Sequence, residues 1–263
     1  MVLPCASAQD VERAPFITTP DEVTTQMLRF AGVGPTDTVV DLGSGDGRIV
    51  IAAARDFGAR GIGIEIDRRL VSLSRERARA AGVEARAAFL HGDVLLADFS
   101  SASVVTVYLL PSLIDRLQPR LLDELAPGTR IVSHAFAMKG WRPDHTHAVR
   151  LSRPHQGQGD TSTLHLWIVP AKVRGLWREA GTGTSGPAWQ LTVHQNFQQL
   201  EVEATVGNKP MGVRSAKLEG RRLTWEADGS EALRFEGEVR DGRITGQLVG
   251  NATRRPLELE RVR

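Results

Sequence analysis

The stretch Val39–Gly47, which reads VVDLGSGDG, decides the fold of this chain. Two β-branched residues lead into an acid, three glycines follow at alternate positions, and Arg48 begins a run typical of a helix. This order predicts a buried strand, a tight turn and a helix start, because glycine allows the backbone to approach a ligand closely. Glu65 lies near the end of a second predicted strand, Gly61–Ile66, where an acid can accept hydrogen bonds from a ribose. The sequence therefore predicts a nucleoside-containing cofactor.

The glycine spacing indicates which cofactor this is. A dinucleotide fingerprint reads G-x-G-x-x-G/A, but Arg48 stands at the third small position and the third glycine is Gly47. Asp41, at the end of the first strand, would repel a pyrophosphate. It suits a cofactor that carries an ammonium and a sulfonium group. The pattern predicts S-adenosyl-L-methionine and disfavours a nicotinamide-dependent dehydrogenase.

The remaining pattern predicts two structural units. Strand and helix signals alternate up to about Pro170, which is typical of an α/β fold with a Rossmann-like, doubly wound and mostly parallel sheet. Beyond it, short alternating runs and the hairpin signal Asp241-Gly242 predict a small antiparallel β domain, either a sandwich or a partly closed barrel. We expect an N-terminal tail at 1–14, the α/β domain at 15–172, a linker at 173–188 and the β domain at 189–263.

The first helix has local start signals. Thr19 and Glu22 have the T-x-x-E spacing of a capping box, and Pro20 suits the first helical position. We therefore expect the Thr19 hydroxyl to cap this helix.

Composition excludes several classes of function. No apolar run approaches the roughly 18 residues of a membrane-spanning helix, so no integral membrane segment is expected. A net charge of +2 without a basic cluster among aromatic residues does not favour a nucleic-acid partner.

The single cysteine, Cys5, excludes an internal disulfide. His145 and His147 have a spacing that metals can use, but no third ligand is evident, so no metal is predicted. Nothing in the sequence indicates an oligomeric state.

The N-terminus leaves two localisations open. Ala6-Ser7-Ala8 is similar to a signal-peptidase site, but the few residues before it form no apolar region. We expect a cytoplasmic protein, because S-adenosylmethionine is made there. The alternative is export, if a leader preceding Ala8 is missing from this chain.

Residues 15–142 resemble class I S-adenosylmethionine-dependent methyltransferases. More narrowly, they are similar to bacterial relatives of the mitochondrial protein-lysine methyltransferases that modify the ADP/ATP carrier and the c subunit of ATP synthase. The matching segments, in the family's order, are Pro15–Pro20, Asp41–Arg48, Gly63–Asp67, Val105–Pro111 and Pro127–His134. Two features depart from the eukaryotic enzymes, since their membrane-anchoring segment is absent and a β domain is added.

The resemblance implies a role for each matching residue. Gly43, Ser44, Gly45 and Gly47 would form the loop at the methionine part of the cofactor, with Asp41 near its ammonium group. Further roles follow for five positions: Glu65 at both ribose hydroxyls, Asp93 at the adenine amino group, Val94 on the adenine ring, and Thr19 and Pro20 as a wall over the cofactor. Tyr108, at the fourth strand end, would position the acceptor nitrogen, although a tyrosine there is often only part of the core.

The sequence predicts an enzyme that N-methylates lysine side chains of a protein substrate. The β domain leaves a second possibility, a methyltransferase for a small molecule. A non-catalytic binding protein is disfavoured, because Asp41, Gly43, Gly45 and Glu65 are all intact.

Overall fold

The computed structural model describes residues 17–155, 159–181, 188–228, 232–250 and 254–262. The predicted tail at 1–14, with Cys5 and the Ala6-Ser7-Ala8 segment, lies outside these residues. Residues 182–187 of the predicted linker also lie outside them. Within the described residues, no helix is long and apolar enough to span a bilayer.

The N-terminal unit is a seven-stranded sheet with strand order β3-β2-β1-β4-β5-β7-β6. The first five strands are parallel, and β6 and β7 are antiparallel additions at one edge. The Rossmann-like fold predicted from the alternating pattern is confirmed. The strands are β1 Thr38–Leu42, β2 Arg60–Glu65, β3 Ala87–His91, β4 Val104–Val107, β5 Arg130–His134, β6 His145–His155 and β7 Gly159–Ile168, and the helices are α1 Asp21–Phe30, α2 Arg48–Asp56, α3 Arg68–Ala80 and α4 Pro111–Glu124.

Apolar side chains cover both faces of this sheet. Every residue of β4 is buried, as expected for a central parallel strand. Helix α4 packs on one face through Leu113, Leu117 and Leu121, while α1, α2 and α3 cover the other. The strands are thereby held rigidly, which fixes the positions of the residues at their carboxyl ends.

The edge hairpin β6–β7 was only half predicted. The alternating run Thr163–Val169 predicts a strand close to β7, whereas no strand is predicted at β6, where His145 and His147 show only a spacing that metals can use. In the structure His145 and His147 lie on β6, and the ring of His147 contacts the ring of Phe30 at 5.6 Å between centroids. Val149 and Leu151 are buried and Arg150 is exposed, so the alternation of a half-buried strand is present in the sequence.

The C-terminal unit is a closed eight-stranded antiparallel barrel. Its interior is filled by large side chains, including Trp177, Trp189, Trp225 and Phe235. This outcome resolves the choice between a sandwich and a partly closed barrel. The strands are β8 Gly175–Glu179, β9 Trp189–Asn196, β10 Gln199–Val206, β11 Lys209–Glu219, β12 Arg222–Asp228, β13 Leu233–Arg240, β14 Arg243–Val249 and β15 Arg254–Arg261.

The barrel begins earlier in the chain than the predicted boundary at 189. Strand β8, within the range 173–188 assigned to a linker, pairs with both β9 and β15 and closes the barrel. Only Leu176 and Trp177 give β8 an apolar pattern, which is too short to separate a strand from a linker by sequence alone.

The barrel is packed against the sheet domain through the turn between β9 and β10. Phe197 stacks on Trp141, with 5.5 Å between ring centroids and 8° between ring planes. Trp141 Nε1 donates a hydrogen bond to Gln198 Oε1 at 2.9 Å, and Gln198 Nε2 donates to the Arg142 carbonyl at 2.7 Å. A second contact joins the Ala171 N–H to the Gly220 carbonyl at 2.8 Å. The two units therefore share an apolar and hydrogen-bonded interface.

Candidate functional site

The carboxyl ends of the parallel strands bring the predicted site residues to one edge of the sheet. Asp41 and Glu65 lie at the ends of β1 and β2, and Asp93 follows β3. Tyr108 follows β4, and His134 ends β5. Ligands of doubly wound sheets bind at this edge, so these five side chains define the candidate site.

The glycine loop between β1 and α2 has the backbone that its sequence predicts. Gly43, Gly45 and Gly47 all adopt positive φ values, of 82°, 54° and 78°. These conformations are costly for residues with a Cβ. At Gly43 a Cβ would also lie 2.6 Å from Leu109 Cδ2, which is too close. Glycine therefore allows the loop to adopt these conformations and, at Gly43, to pack against Leu109.

The carboxylate of Asp41 lies beneath this loop and is buried. Thr106 Oγ1 donates a hydrogen bond to Asp41 Oδ1 at 2.7 Å. Burial raises the pKa of Asp41 to about 7, and the negative charges of Glu65 and Asp46 add to this effect, while the Thr106 hydrogen bond opposes it. A cationic group above the loop would stabilise the carboxylate form.

Ser44 adds a second polar atom to the floor of the site. Its hydroxyl is buried and has no hydrogen-bond partner among the described residues. A buried polar group without a partner is destabilising. The Ser44 side chain packs against Gly63 of β2, where a Cβ would lie 2.6 Å from Ser44 Oγ, so it holds the loop on the sheet.

Glu65 connects the glycine loop to the start of α3. Its Oε2 accepts a hydrogen bond from the Gly45 N–H at 2.9 Å, and its Oε1 accepts one from the Asp67 N–H at 2.9 Å. Each carboxylate oxygen has two acceptor sites. Both oxygens can therefore hold the backbone and still accept a hydrogen bond from a ribose hydroxyl.

Asp93 and Val94 lie in the loop after β3. Asp93 Oδ1 accepts a hydrogen bond from the Leu95 N–H at 2.9 Å, and the Val94 side chain is buried. Arg120 of α4 holds this loop from below, because its guanidinium donates to the carbonyls of Val94, Leu95 and Ala97 at 3.3, 2.7 and 2.8 Å. The sequence did not reveal Arg120, since one arginine in an amphipathic helix gives no sign of its partners.

The predicted capping box at α1 is wrong. Pro20 is the N-cap residue, and no side chain caps the helix. The Thr19 hydroxyl instead lies 3.4 Å from His134 Nδ1, and the Glu22 carboxylate accepts a hydrogen bond from the Ser152 N–H at 3.0 Å. Both side chains have partners distant in sequence, which outweigh the local cap. Thr19 therefore faces the site.

Aromatic rings form the other side of the site. The rings of Tyr108 and His134 are in contact, with centroids 4.1 Å apart, and Phe136 stacks on Tyr108 at 6.3 Å. His134 is fully buried, and its Nε2 lies 3.0 Å from Ser162 Oγ. Tyr108 is half-buried at the sheet edge. This position agrees with a role at the acceptor, which stays a prediction.

Arg48 and Asp46 are the charged residues of the site that sequence reasoning missed. Arg48 Nη2 and Nε donate to the two oxygens of Asp46 at 2.7 and 3.0 Å, and Arg77 pairs with the same carboxylate. Burial opposes ionisation of Asp46, but the two arginines hold its pKa below the usual value. Asp46 and Arg48 flank Gly47 at the end of the glycine loop, and this close pair of opposite charges was the sequence signal that could have indicated their contact.

These residues fit S-adenosyl-L-methionine. The buried Asp41 carboxylate suits the ammonium group, and the positive φ values of the glycine loop allow its backbone to approach a ligand closely. Glu65 would hold the ribose, while Asp93 and Val94 would hold the adenine. Among the described side chains, no three His, Cys, Asp or Glu residues are grouped as metal ligands.

Comparison with known proteins agrees with this fit. Residues 41–145 match the family model described as the ANTKMT methyltransferase domain. A protein-lysine N-methyltransferase from Saccharolobus islandicus is 42% identical over 134 residues, which are 51% of this chain and 83% of that protein. The Mus musculus lysine N-methyltransferase named for the c subunit of ATP synthase is 42% identical over 108 residues. That match covers 41% of this chain and 43% of the mouse protein.

A solved structure matches a larger share of the chain. It is titled an RNA methyltransferase from Salinibacter ruber in complex with S-adenosyl-L-homocysteine, and it is 48% identical with a TM-score of 0.54. The match covers 60% of this chain and 96% of that one. These matches together support S-adenosyl-L-methionine as the cofactor.

Proposed function

This chain belongs to the family of methyltransferases that carry the ANTKMT methyltransferase domain, and we propose that it N-methylates lysine side chains of a protein substrate. One observation carries the choice of substrate. The Saccharolobus islandicus relative, named a protein-lysine N-methyltransferase, is matched over 83% of its length at 42% identity. The residues at the sheet edge fit this reaction, because the carboxylates of Asp41 and Glu65, which suit the cofactor, lie on the same edge as the aromatic ring of Tyr108.

The reaction requires close positioning more than covalent chemistry by the protein. S-adenosyl-L-methionine, when bound, supplies a methyl group on a sulfonium. The contribution of this chain is to hold the acceptor nitrogen in line with that group, which can account for a large part of the rate enhancement. Tyr108 lies at the sheet edge next to the glycine loop and is our candidate for holding the nitrogen.

The acceptor lysine must also lose a proton. With an ordinary pKa near ~10.4, deprotonation at pH 7 costs roughly 4.6 kcal/mol at 1.36 kcal/mol per pKa unit. A water-poor pocket beside the positive sulfonium of the bound cofactor would lower the pKa of that amine, through desolvation and like-charge repulsion. Tyr108 and Phe136, which stack at the sheet edge, would lie on the acceptor side of such a pocket.

The proposal is tested with methyl-labelled S-adenosyl-L-methionine and lysate of the source organism. After incubation, label is measured separately in protein, RNA and small molecules, and the protein is hydrolysed to identify methylated amino acids. We expect label in N-methylated lysine. Glu65→Gln should lose the incorporation, and Glu76→Gln, on the exposed side of α3, is the matched control. Label confined to RNA or to small molecules would overturn the proposal.

A further inference from the structure

Arg48 stands where dinucleotide-binding folds carry a small residue, and its contacts explain why it is large. It is the first residue of α2, directly after the glycine loop. Its Nη1 donates to the Thr19 carbonyl at 2.8 Å and lies 3.3 Å from Asp21 Oδ1. Its Nε and Nη2 hold the Asp46 carboxylate. One guanidinium thus joins the glycine loop to the segment before α1.

Thr19 contacts two separate elements of the candidate site. Its carbonyl is bound by Arg48 at the start of α2, and its hydroxyl lies against His134 at the end of β5. In the sheet, β4 lies between β1, which leads into the glycine loop, and β5. Thr19 therefore links the end of the glycine loop to the end of β5, on either side of the strand that Tyr108 follows.

We propose that Arg48 is a positioning residue that holds residues 17–20 over the cofactor loop and so slows release of the cofactor. The inference rests on the placement of S-adenosyl-L-methionine at the glycine loop. It does not depend on which acceptor is methylated. Arg48 acts through the backbone of Thr19 and through Asp46, without touching the cofactor itself.

The geometry requires arginine. The planar guanidinium has five donors in a fixed fork, so it can hold a carboxylate on one side and a carbonyl on the other. A lysine ammonium keeps the charge but loses the paired contact with Asp46. Asp46 is itself buried and remains paired with Arg77, so Arg48→Lys should leave it ionised.

The test measures dissociation of S-adenosyl-L-homocysteine by stopped flow for the wild type and Arg48→Lys. We expect release at least tenfold faster in the variant. Arg55→Lys is the matched control, because Arg55 lies on the same helix and, among the residues that the structure describes, its ion pair is with the exposed Asp56. Glu65→Gln tests the placement of the cofactor separately from the role of Arg48. Wild-type affinity in Glu65→Gln would mean that the cofactor lies elsewhere and that the placement at the glycine loop fails.

Hydrogen exchange distinguishes positioning from a general loss of stability. With wild-type protein, S-adenosyl-L-homocysteine should slow amide exchange in residues 17–24 and in the glycine loop. In Arg48→Lys only the loop should remain protected at saturation. Asp46→Asn weakens the Arg48–Asp46 contact from the side of the acid and should also speed release of S-adenosyl-L-homocysteine. This second variant tests the proposal if Arg48→Lys fails to fold. Wild-type release rates in the folded variants would overturn the proposal.

Discussion

At the scale of single residues, burial of charge governs the chemistry of this site. Asp41 is an acid in an apolar sheet, and within the described part of the chain its carboxylate accepts a side-chain hydrogen bond from Thr106. Without a ligand its pKa is raised to about 7, whereas an unfolded chain would show about 3.9. The folded protein therefore holds the proton more tightly, and the contribution of Asp41 to folding stability falls as pH rises from about 4 through 7.

We predict that binding of S-adenosyl-L-homocysteine weakens at acid pH because of Asp41. A bound ammonium group favours the carboxylate, so binding releases a proton and affinity rises with pH until Asp41 is ionised. Between pH 7.5 and pH 5.5 calorimetry should show a loss of affinity on the order of tenfold. Asp41→Asn should bind weakly with a flat profile, and Asp56→Asn, at the surface, should keep the wild-type slope. A flat wild-type profile would remove Asp41 from the ammonium site.

Tyr108→Phe tests the acceptor side of the same edge. The change keeps the ring and its contact with His134 but deletes the hydroxyl. We expect S-adenosyl-L-homocysteine affinity to be nearly unchanged and turnover to fall at least tenfold, about 1.4 kcal/mol in the barrier. Labelled-methyl incorporation into lysate protein measures this. Wild-type turnover would place Tyr108 in the core alone.

Local sequence rules predicted the cofactor side of the site better than its long-range contacts. The positive φ values of the glycine loop and the position of Glu65 at a strand end follow from neighbouring residues. The contacts of Thr19 with His134 and of Arg48 with Thr19 join residues far apart in the chain. No local spacing encodes such pairs.

At the scale of elements, the strands predicted from the sequence differ from the missed ones in how clearly apolar and polar residues alternate along them. In β15 only Leu257 and Leu259 are buried among charged neighbours, and β8 has an equally short apolar pattern. Both strands exist because barrel closure supplies partners on each side. Tertiary pairing thus stabilises segments whose own β signal is weak.

Helix α4 has a predicted second role as support for the adenine loop. Arg120→Ala removes the donor to three loop carbonyls and the contact with Phe99. We expect a loss of about 1–3 kcal/mol in the free energy of unfolding by urea. Affinity for S-adenosyl-L-homocysteine should fall several-fold. Arg116→Ala, exposed one turn earlier, should change neither quantity. Unchanged affinity in a destabilised Arg120→Ala would show that the loop does not need this support.

At the scale of the whole molecule, the barrel adds to the apolar cluster that α4 forms on one face of the sheet. The connection between β5 and β6, residues 135–144, contains no helix, although parallel sheets are normally covered on both faces. Trp141 and Trp167 lie on this face and are almost fully buried. Phe197 of the barrel packs against the same cluster. One barrel side chain therefore contributes to the apolar cluster of the sheet domain.

A chain ending at Pro170 should for this reason fail to fold normally, contrary to what a linker at 173–188 would suggest. Removing the barrel exposes Trp141, and each large side chain returned to water costs roughly 1.5–3 kcal/mol. We expect the truncated chain to bind a hydrophobic dye, to lose near-ultraviolet circular dichroism and to bind S-adenosyl-L-homocysteine poorly. In the full chain, Phe197→Ser should lower the melting temperature of the sheet domain, while Arg240→Ala, on an exposed barrel strand, should not. A monomeric truncated chain with wild-type affinity would show that the sheet domain folds without the barrel.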